Sequence, residues 1–143
     1  MKKILLYIIC VLTGMACHAQ TISINAQVVD ERIPEEAARQ LETKLQNALT
    51  QNGYADNGYT ERFVLTAKLD VTQKDITPTT PARISEKMDI TLMVGDVVEN
   101  KLYASVTLQA AGIGTNENKA YIQAFRSIKG DNPKILQMLN EAK

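Results

Sequence analysis

The chain of 143 residues has no tryptophan, two cysteines and one histidine. Cys10, Cys17 and His18 all fall near the amino terminus, so from Gln20 onward there is neither thiol nor imidazole. That excludes disulfides from this stretch, which must be held together by packing. It also excludes the Cys–His and Ser–His pairs of nucleophilic catalysis and the usual ligands of zinc. No excess of one charge is present either: 16 basic and 16 acidic side chains balance. A near-neutral surface is a poor match for nucleic acid or anionic lipid, both of which reward a basic patch. Nor is any apolar run close to the roughly 20 residues needed to span a bilayer as a helix.

What is present begins with an address. Lys2 and Lys3 precede an apolar run from Ile4 to Val11, extended by Leu12 and Met15, and Ala19 stands before Gln20. This is the layout of a secretory signal peptide, predicting residues 1–19 as leader and 20–143 as one exported domain. Loss of Lys2 and Lys3 would leave fourteen basic against sixteen acidic side chains. The alternative is cleavage ahead of Cys17 and lipid anchoring through it, since Ala16 suits that site, although Gly14 stands where Leu is usual. The location expected is therefore periplasmic or secreted, or anchored through Cys17.

Beyond the leader, periodicity alternates between two and 3.6. Ile22, Ile24, Ala26 and Val28 alternate with polar residues, as in a strand with one buried face. Pro34 opens a helix with Glu35 and Glu36 in its first turn, an apolar stripe of Ala37, Ala38, Leu41, Leu45, Ala48 and Leu49, and a stop at Asn52-Gly53. Arg39, Gln40, Glu42, Thr43 and Gln46 lie off that stripe. A turn-rich loop, 54–61, follows, containing Asn57-Gly58 and Tyr59. Phe63, Leu65, Ala67, Leu69 and Val71 mark a second strand. Met88 to Val94 and Leu102 to Ala110 mark two more, joined as a hairpin through Gly95-Asp96. Gly112 and Gly114 are expected to turn the backbone into a helix, capped by Thr115 or Asn116, with Ala120, Tyr121, Ala124, Phe125 and Ile128 on one face. Asn132-Pro133 opens a last helix, striped by Ile135, Leu136, Leu139 and Ala142.

The order is β-α-β-β-β-α-α. Each strand has one apolar and one polar face, so the expected fold is an α/β domain of the α+β type. It is a two-layer sandwich in which a mixed sheet of about four strands carries helices on one face. The position of the first strand in the sheet is left open.

Arg62-Phe63-Val64-Leu65-Thr66-Ala67-Lys68-Leu69 resembles the strand after the first helix in a group of Gram-negative envelope domains. That group includes the amino-terminal domain of TolB and the LpoB and CsgG lipoproteins. Gly112-x-Gly114, then Lys119-Ala120-Tyr121 and Ala124, resembles the strand-to-helix passage of the same group, and the run from Gly112 to Ile128 is similar to small secreted proteins of unassigned function. The resemblance implies an envelope location and a protein-binding or assembly role, and carries no catalytic residue.

Chemistry is sparse. Gly112-x-Gly114 lacks the third glycine of a dinucleotide loop, with Glu117 in its place, and no P-loop Lys-Ser/Thr follows. Ser23, Ser85, Ser105 and Ser127 are the serines open to a Ser–Lys pair, and Asp30/Glu31 and Glu35/Glu36 are adjacent acids, but none stands in a motif. No catalytic residue, cofactor or metal ligand is assigned. Binding is the better expectation. The polar sheet face carries Thr66, Lys68, Asp70, Asp89, Thr91, Tyr103, Ser105, Thr107 and Gln109. A long connection from Thr72 to Glu86, with two prolines in four residues, is expected to project. Its tip, Thr77, Pro78, Thr79, Thr80 and Pro81, with Arg83 nearby, is the candidate protein-binding site. Tyr54 and Tyr59 would join a contact surface or cover the core. The expected function is a non-enzymatic interaction or assembly module whose partner is another envelope protein. The alternatives are a self-assembling subunit pairing through an exposed sheet edge, and a weak hydrolase with an unrecognised Ser–Lys or carboxylate site.

Overall fold

A computed structural model describes residues 23–54 and 62–142. The expected leader, with Cys10, Cys17 and His18, and the loop residues Asn57-Gly58 and Tyr59 lie outside the described residues. The elements are β1 (Asn25–Ala26), α1 (Glu35–Gln51), β2 (Phe63–Thr77), β3 (Arg83–Asp96), β4 (Lys101–Gly114), α2 (Glu117–Phe125) and α3 (Pro133–Glu141). The strands form one sheet in the order β1-β2-β3-β4. β1 runs parallel to β2, and the other pairs are antiparallel. This is a mixed four-strand α+β fold, as the alternating faces led one to expect.

The apolar rows of the strands meet the apolar stripes of the helices. Leu65, Ala67 and Leu69 of β2, Met88, Ile90, Leu92 and Val94 of β3, and Ala104, Leu108 and Ala110 of β4 are buried. So are Leu41, Leu45 and Leu49 of α1, Tyr121 and Phe125 of α2, and Ile135, Met138 and Leu139 of α3. Met138 takes the place expected for Leu136, which is half-buried. Tyr54 is buried, and its hydroxyl donates to the Leu139 carbonyl at 3.4 Å, so it closes one end of the core.

Two details depart from expectation. The glycines at 112 and 114 do not turn the chain; β4 continues through both. They are needed because α2 lies directly on them: a Cβ at Gly112 would sit 1.9 Å from the Ala120 carbonyl oxygen, and one at Gly114 would sit 2.6 Å from the Ala120 nitrogen. Asn116 then caps α2, accepting from the Lys119 amide at 2.9 Å. The second departure is the segment from Thr72 to Glu86, which is no loop. β2 and β3 stay paired from Gln73↔Lys87 to Thr77↔Arg83, and only residues 78–82 connect them. Every residue from Val71 to Arg83 is exposed, and the side chain that the ribbon does bury, Glu86, is polar, so there is no apolar alternation by which to recognise it. Pro78 and Pro81 sit in the connection, where no ladder needs their missing amides.

Two register shifts re-aim side chains. Val71 pairs with Met88 but Gln73 with Lys87, so Thr72 is an extra residue in β2. Val94 pairs with Ala104 but Gly95 with Leu102, so Tyr103 is extra in β4. The second bulge leaves Leu102 exposed and brings the Tyr103 ring to 6.2 Å from that of Phe63, displacing Tyr103 from the regular polar row.

Candidate functional sites: two sheet edges and two buried acids

The sequence-predicted binding residues sit together at the tip of the β2–β3 ribbon. Thr77 ends β2, residues 78–81 lie in the connection, and Arg83 begins β3; all are exposed. Thr79 folds the tip on itself, its amide donating to the Thr77 carbonyl at 2.8 Å and its hydroxyl to the Pro81 carbonyl at 2.9 Å. The premise of a long unexplained loop is gone, because a five-residue connection is what a hairpin needs. Arg83 borders a shallow groove with Gly114, Lys119 and Gln123, which makes the tip a neighbour of the end of β4.

The sheet has two outer strands, and they are finished differently. Directly after β1, Gln27 donates to the Leu65 carbonyl at 2.9 Å, so the amides on either side of it point outward. Both are taken by α1: Ala26 N–H donates to Gln46 Oε1 at 3.1 Å, and Val28 N–H to Glu42 Oε2 at 3.2 Å. Glu42 and Gln46, one helical turn apart, thus close this edge.

On β4 the outward row follows from two independent bonds. The Val97 amide donates to Arg62 at 2.9 Å, so odd-numbered residues of β3 bond to β2 and even-numbered ones to β4. Their partners Ala104, Val106, Leu108, Ala110 and Gly112 therefore bond inward, leaving Ser105, Thr107, Gln109, Ala111 and Ile113 to point outward. The Ile113 amide accordingly bonds to Gln123 Oε1 of α2 and not to β3. Among the described residues, no hydrogen bond occupies the outward amides of Ser105, Thr107, Gln109 or Ala111. No charged side chain occurs from Leu102 to Asn116. Edge strands are ordinarily blunted by charge, proline or cover, and this stretch has none of the first two.

The open sheet face carries the expected polar row, with Thr91 and Thr107 hydroxyls 3.1 Å apart across β3 and β4. At its far end, Val64, Met93 and Leu102 line a hollow beside the exposed Val97.

Two charged groups are buried among the described residues, both on β3. Asp96 anchors the β3–β4 turn. It accepts from Arg62 Nε at 2.7 Å, Val98 N–H at 2.8 Å and Glu99 N–H at 3.1 Å. Burial works to raise its pKa, but the amide and guanidinium donors prevail and hold it below the ordinary carboxylate value. Glu86 has no such shell. It is fully buried opposite Gly112, and neither carboxylate oxygen has a hydrogen-bond partner among the described residues. Lys74 Nζ stands 3.6 Å from Glu86 Oε1 and 3.1 Å from Glu117 Oε1 of α2. Burial, seconded by the charge of Glu117, pushes the Glu86 pKa up against the pull of Lys74. The Thr72 bulge creates this cluster by turning Lys74 to the Glu86 side of the ribbon. Sequence spacing gives no sign of it.

Among the described residues, no group of three or more His, Cys, Asp or Glu side chains is placed to hold a metal ion. Of the serines considered, Ser127 donates its hydroxyl to the Ala124 carbonyl at 2.7 Å. No described helix is long and apolar enough to cross a membrane.

No protein-family model and no curated protein matches the chain. Among solved structures it is similar to a minor lipoprotein from Acinetobacter baumannii, at 16% identity and a TM-score of 0.47, covering 85% of this chain and 93% of that one. It is also similar to a PelC variant from Paraburkholderia phytofirmans, described as a dodecamer, at 16% identity and a TM-score of 0.48, covering 85% of this chain and 86% of that one.

Proposed function

We propose that this protein is a non-enzymatic interaction or assembly module of the Gram-negative cell envelope, engaging another protein through the outer edge of β4. The envelope part of the reading is supported by the charged and apolar amino-terminal run and by the resemblance carried on Arg62–Leu69 and Gly112–Ala124. The docking part is supported by one observation above the others: the uncharged row of free outward amides on β4. An extended strand of a partner fits such a row, since main-chain hydrogen bonds supply affinity with little demand on side chains. The β2–β3 tip, with Thr77, Pro78, Thr79, Thr80, Pro81 and Arg83, adjoins the upper end of that edge and extends the contact.

The test is capture from envelope extract with the full chain as bait. Gln109→Pro removes an outward amide that β3 does not use and leaves the internal ladder whole. Wild type is expected to retain a discrete partner that the folded Gln109→Pro variant does not. Equal capture by both would remove the β4 edge from the reading. A Gly/Ser replacement of Thr77–Pro81 tests the tip in the same way.

A further inference from the structure

We infer that the strand meeting β4 is β4 of a second copy of this chain, paired antiparallel about a twofold axis at Leu108. The inference rests on the edge-docking reading above and names the partner. Its argument begins with where the free edge starts and stops. At one end the bulge at Tyr103 interrupts the strand, and at the other Gln123 of α2 already holds the Ile113 amide. Between them lie four free outward residues, Ser105, Thr107, Gln109 and Ala111. The only antiparallel self-pairing that uses all four sets Ser105 against Ala111 and Thr107 against Gln109 of the second copy, with the axis midway, at Leu108.

The side chains accept that register. An antiparallel pair whose residues exchange both bonds gives two hydrogen bonds, so the four outward residues yield about eight between the copies. On the open face, Ser105 meets Ala111, and Thr107 meets Gln109, all small or neutral. On the helix side, Leu108 meets Leu108 as a closely spaced pair that bonds only within its own sheet, and Val106 meets Ala110. Between Leu102 and Gly114 there is no charge to be set against its own copy, which a strand must satisfy if it is to pair with itself. Beside the axis, Leu108, Ile128 and Pro133, together with the polar Gln109, Ser127, Asn132 and Lys134, line a hollow of about 430 Å³ that leaves room for side chains of the second copy. The result is a continuous eight-stranded sheet with its helices on one side. The capped β1 edges form its two ends, so the assembly closes at two copies.

The experiment uses the full chain. Sedimentation over a wide concentration range is expected to show a monomer–dimer equilibrium, and Gln109→Pro is expected to weaken it about tenfold or more, since each dimer loses two bonds. Should that variant lose its far-UV signature, Thr107→Lys, whose side chain lies on the solvated face, serves in its place. Register is read by oxidising variants in which Cys10 and Cys17 are replaced by Ser, so that the introduced cysteine is the single one. An equimolar mixture of Ser105→Cys and Ala111→Cys is expected to yield an intermolecular disulfide mapped to those two positions, and neither variant alone should do so. A chain that stays monomeric throughout overturns the self-pairing. If such a monomer still captures an envelope partner in a Gln109→Pro-sensitive way, edge docking survives without it. A dimer indifferent to Gln109→Pro, or one that fails to form the mixed disulfide, overturns the interface or its register.

Discussion

The two edges of this sheet share a backbone problem and solve it in opposite ways. β1 is a two-residue strand, and the outward amides of Ala26 within it and Val28 just beyond it are both bonded to α1 side chains. β4 runs for 14 residues and, among the described residues, has one outward amide, that of Ile113, bonded to a side chain, Gln123. A strand edge left with free donors and no charge is a template for another strand. The contrast within one sheet shows that the chain can close an edge where closure is needed. The buried acids repeat the lesson at the level of single groups. Asp96 is satisfied by three donors and fastens a turn, while Glu86, ten residues earlier on the same strand, is enclosed without any hydrogen-bond donor among the described residues.

The largest expected effect comes from unseating the helix that guards the upper end of β4. Phe125 is fully buried on α2, and Phe125→Ala should cost about 3–5 kcal/mol. Chemical denaturation checks this, and an unchanged midpoint would mean that α2 does not hold the sheet as described. Next, Glu42→Ala with Gln46→Ala should make the β1 edge resemble that of β4. Two part-buried amides lose their acceptors, at about 1 kcal/mol each. The double variant should also associate further, through an edge that was closed. If it is neither less stable nor more associated, the closure of β1 is not what distinguishes the edges.

A third change addresses the seat of α2 on β3. Glu86 has its pKa raised in the folded chain above the ordinary carboxylate value, chiefly by burial. The ionised form is therefore the one that folding disfavours. The penalty is absent below the unfolded pKa and grows as pH rises through the folded one, so this group makes the protein less stable toward neutral pH. Glu86→Met removes the penalty. The variant is expected to exceed wild type in thermal midpoint at pH 7, with the gap narrowing as pH falls toward 4. A gap that does not change with pH would assign Glu86 a packing role alone. The smallest effect is expected of Gln123→Ala, which frees the Ile113 amide at an exposed site. Stability should move by no more than about 0.5 kcal/mol. In the register about Leu108 the freed amide would face the bulged Tyr103 of the second copy, so it gains no strand partner and association in sedimentation should be unchanged.

How much of this was written legibly in the sequence depended on burial. The core halves of β2, β3 and β4 alternate cleanly because one face meets the helices, and the helical stripes of α1 and α2 are readable for the same reason. On the outer half of the β2–β3 ribbon β2 is wet throughout and the side chain that β3 fully buries is a glutamate, so Thr72 to Glu86 presents as polar loop though most of it is strand. The bulges at Thr72 and Tyr103 are single-residue insertions defined by the partner strand, which no local pattern records. Hence no spacing in the sequence shows that Lys74, Glu86 and Glu117 converge. Glu42 and Gln46 were legible as off-stripe polar positions, but their bonds to β1 depend on where the first strand sits. The absence of charge from Leu102 to Asn116 was in plain view; what gives it meaning is that β4 is an outer strand, and topology decides that.

Amide-resolved hydrogen exchange measured at low and high protein concentration tests the central contrast most directly. The account predicts that Ala26 and Val28 are protected at every concentration. Ser105, Thr107, Gln109 and Ala111 should exchange quickly when dilute and slow down together as concentration rises, while the alternating Val106, Leu108 and Ala110 remain slow throughout. Fast exchange of the outward β4 amides at all concentrations, or equal protection of both edges in the dilute chain, would contradict it.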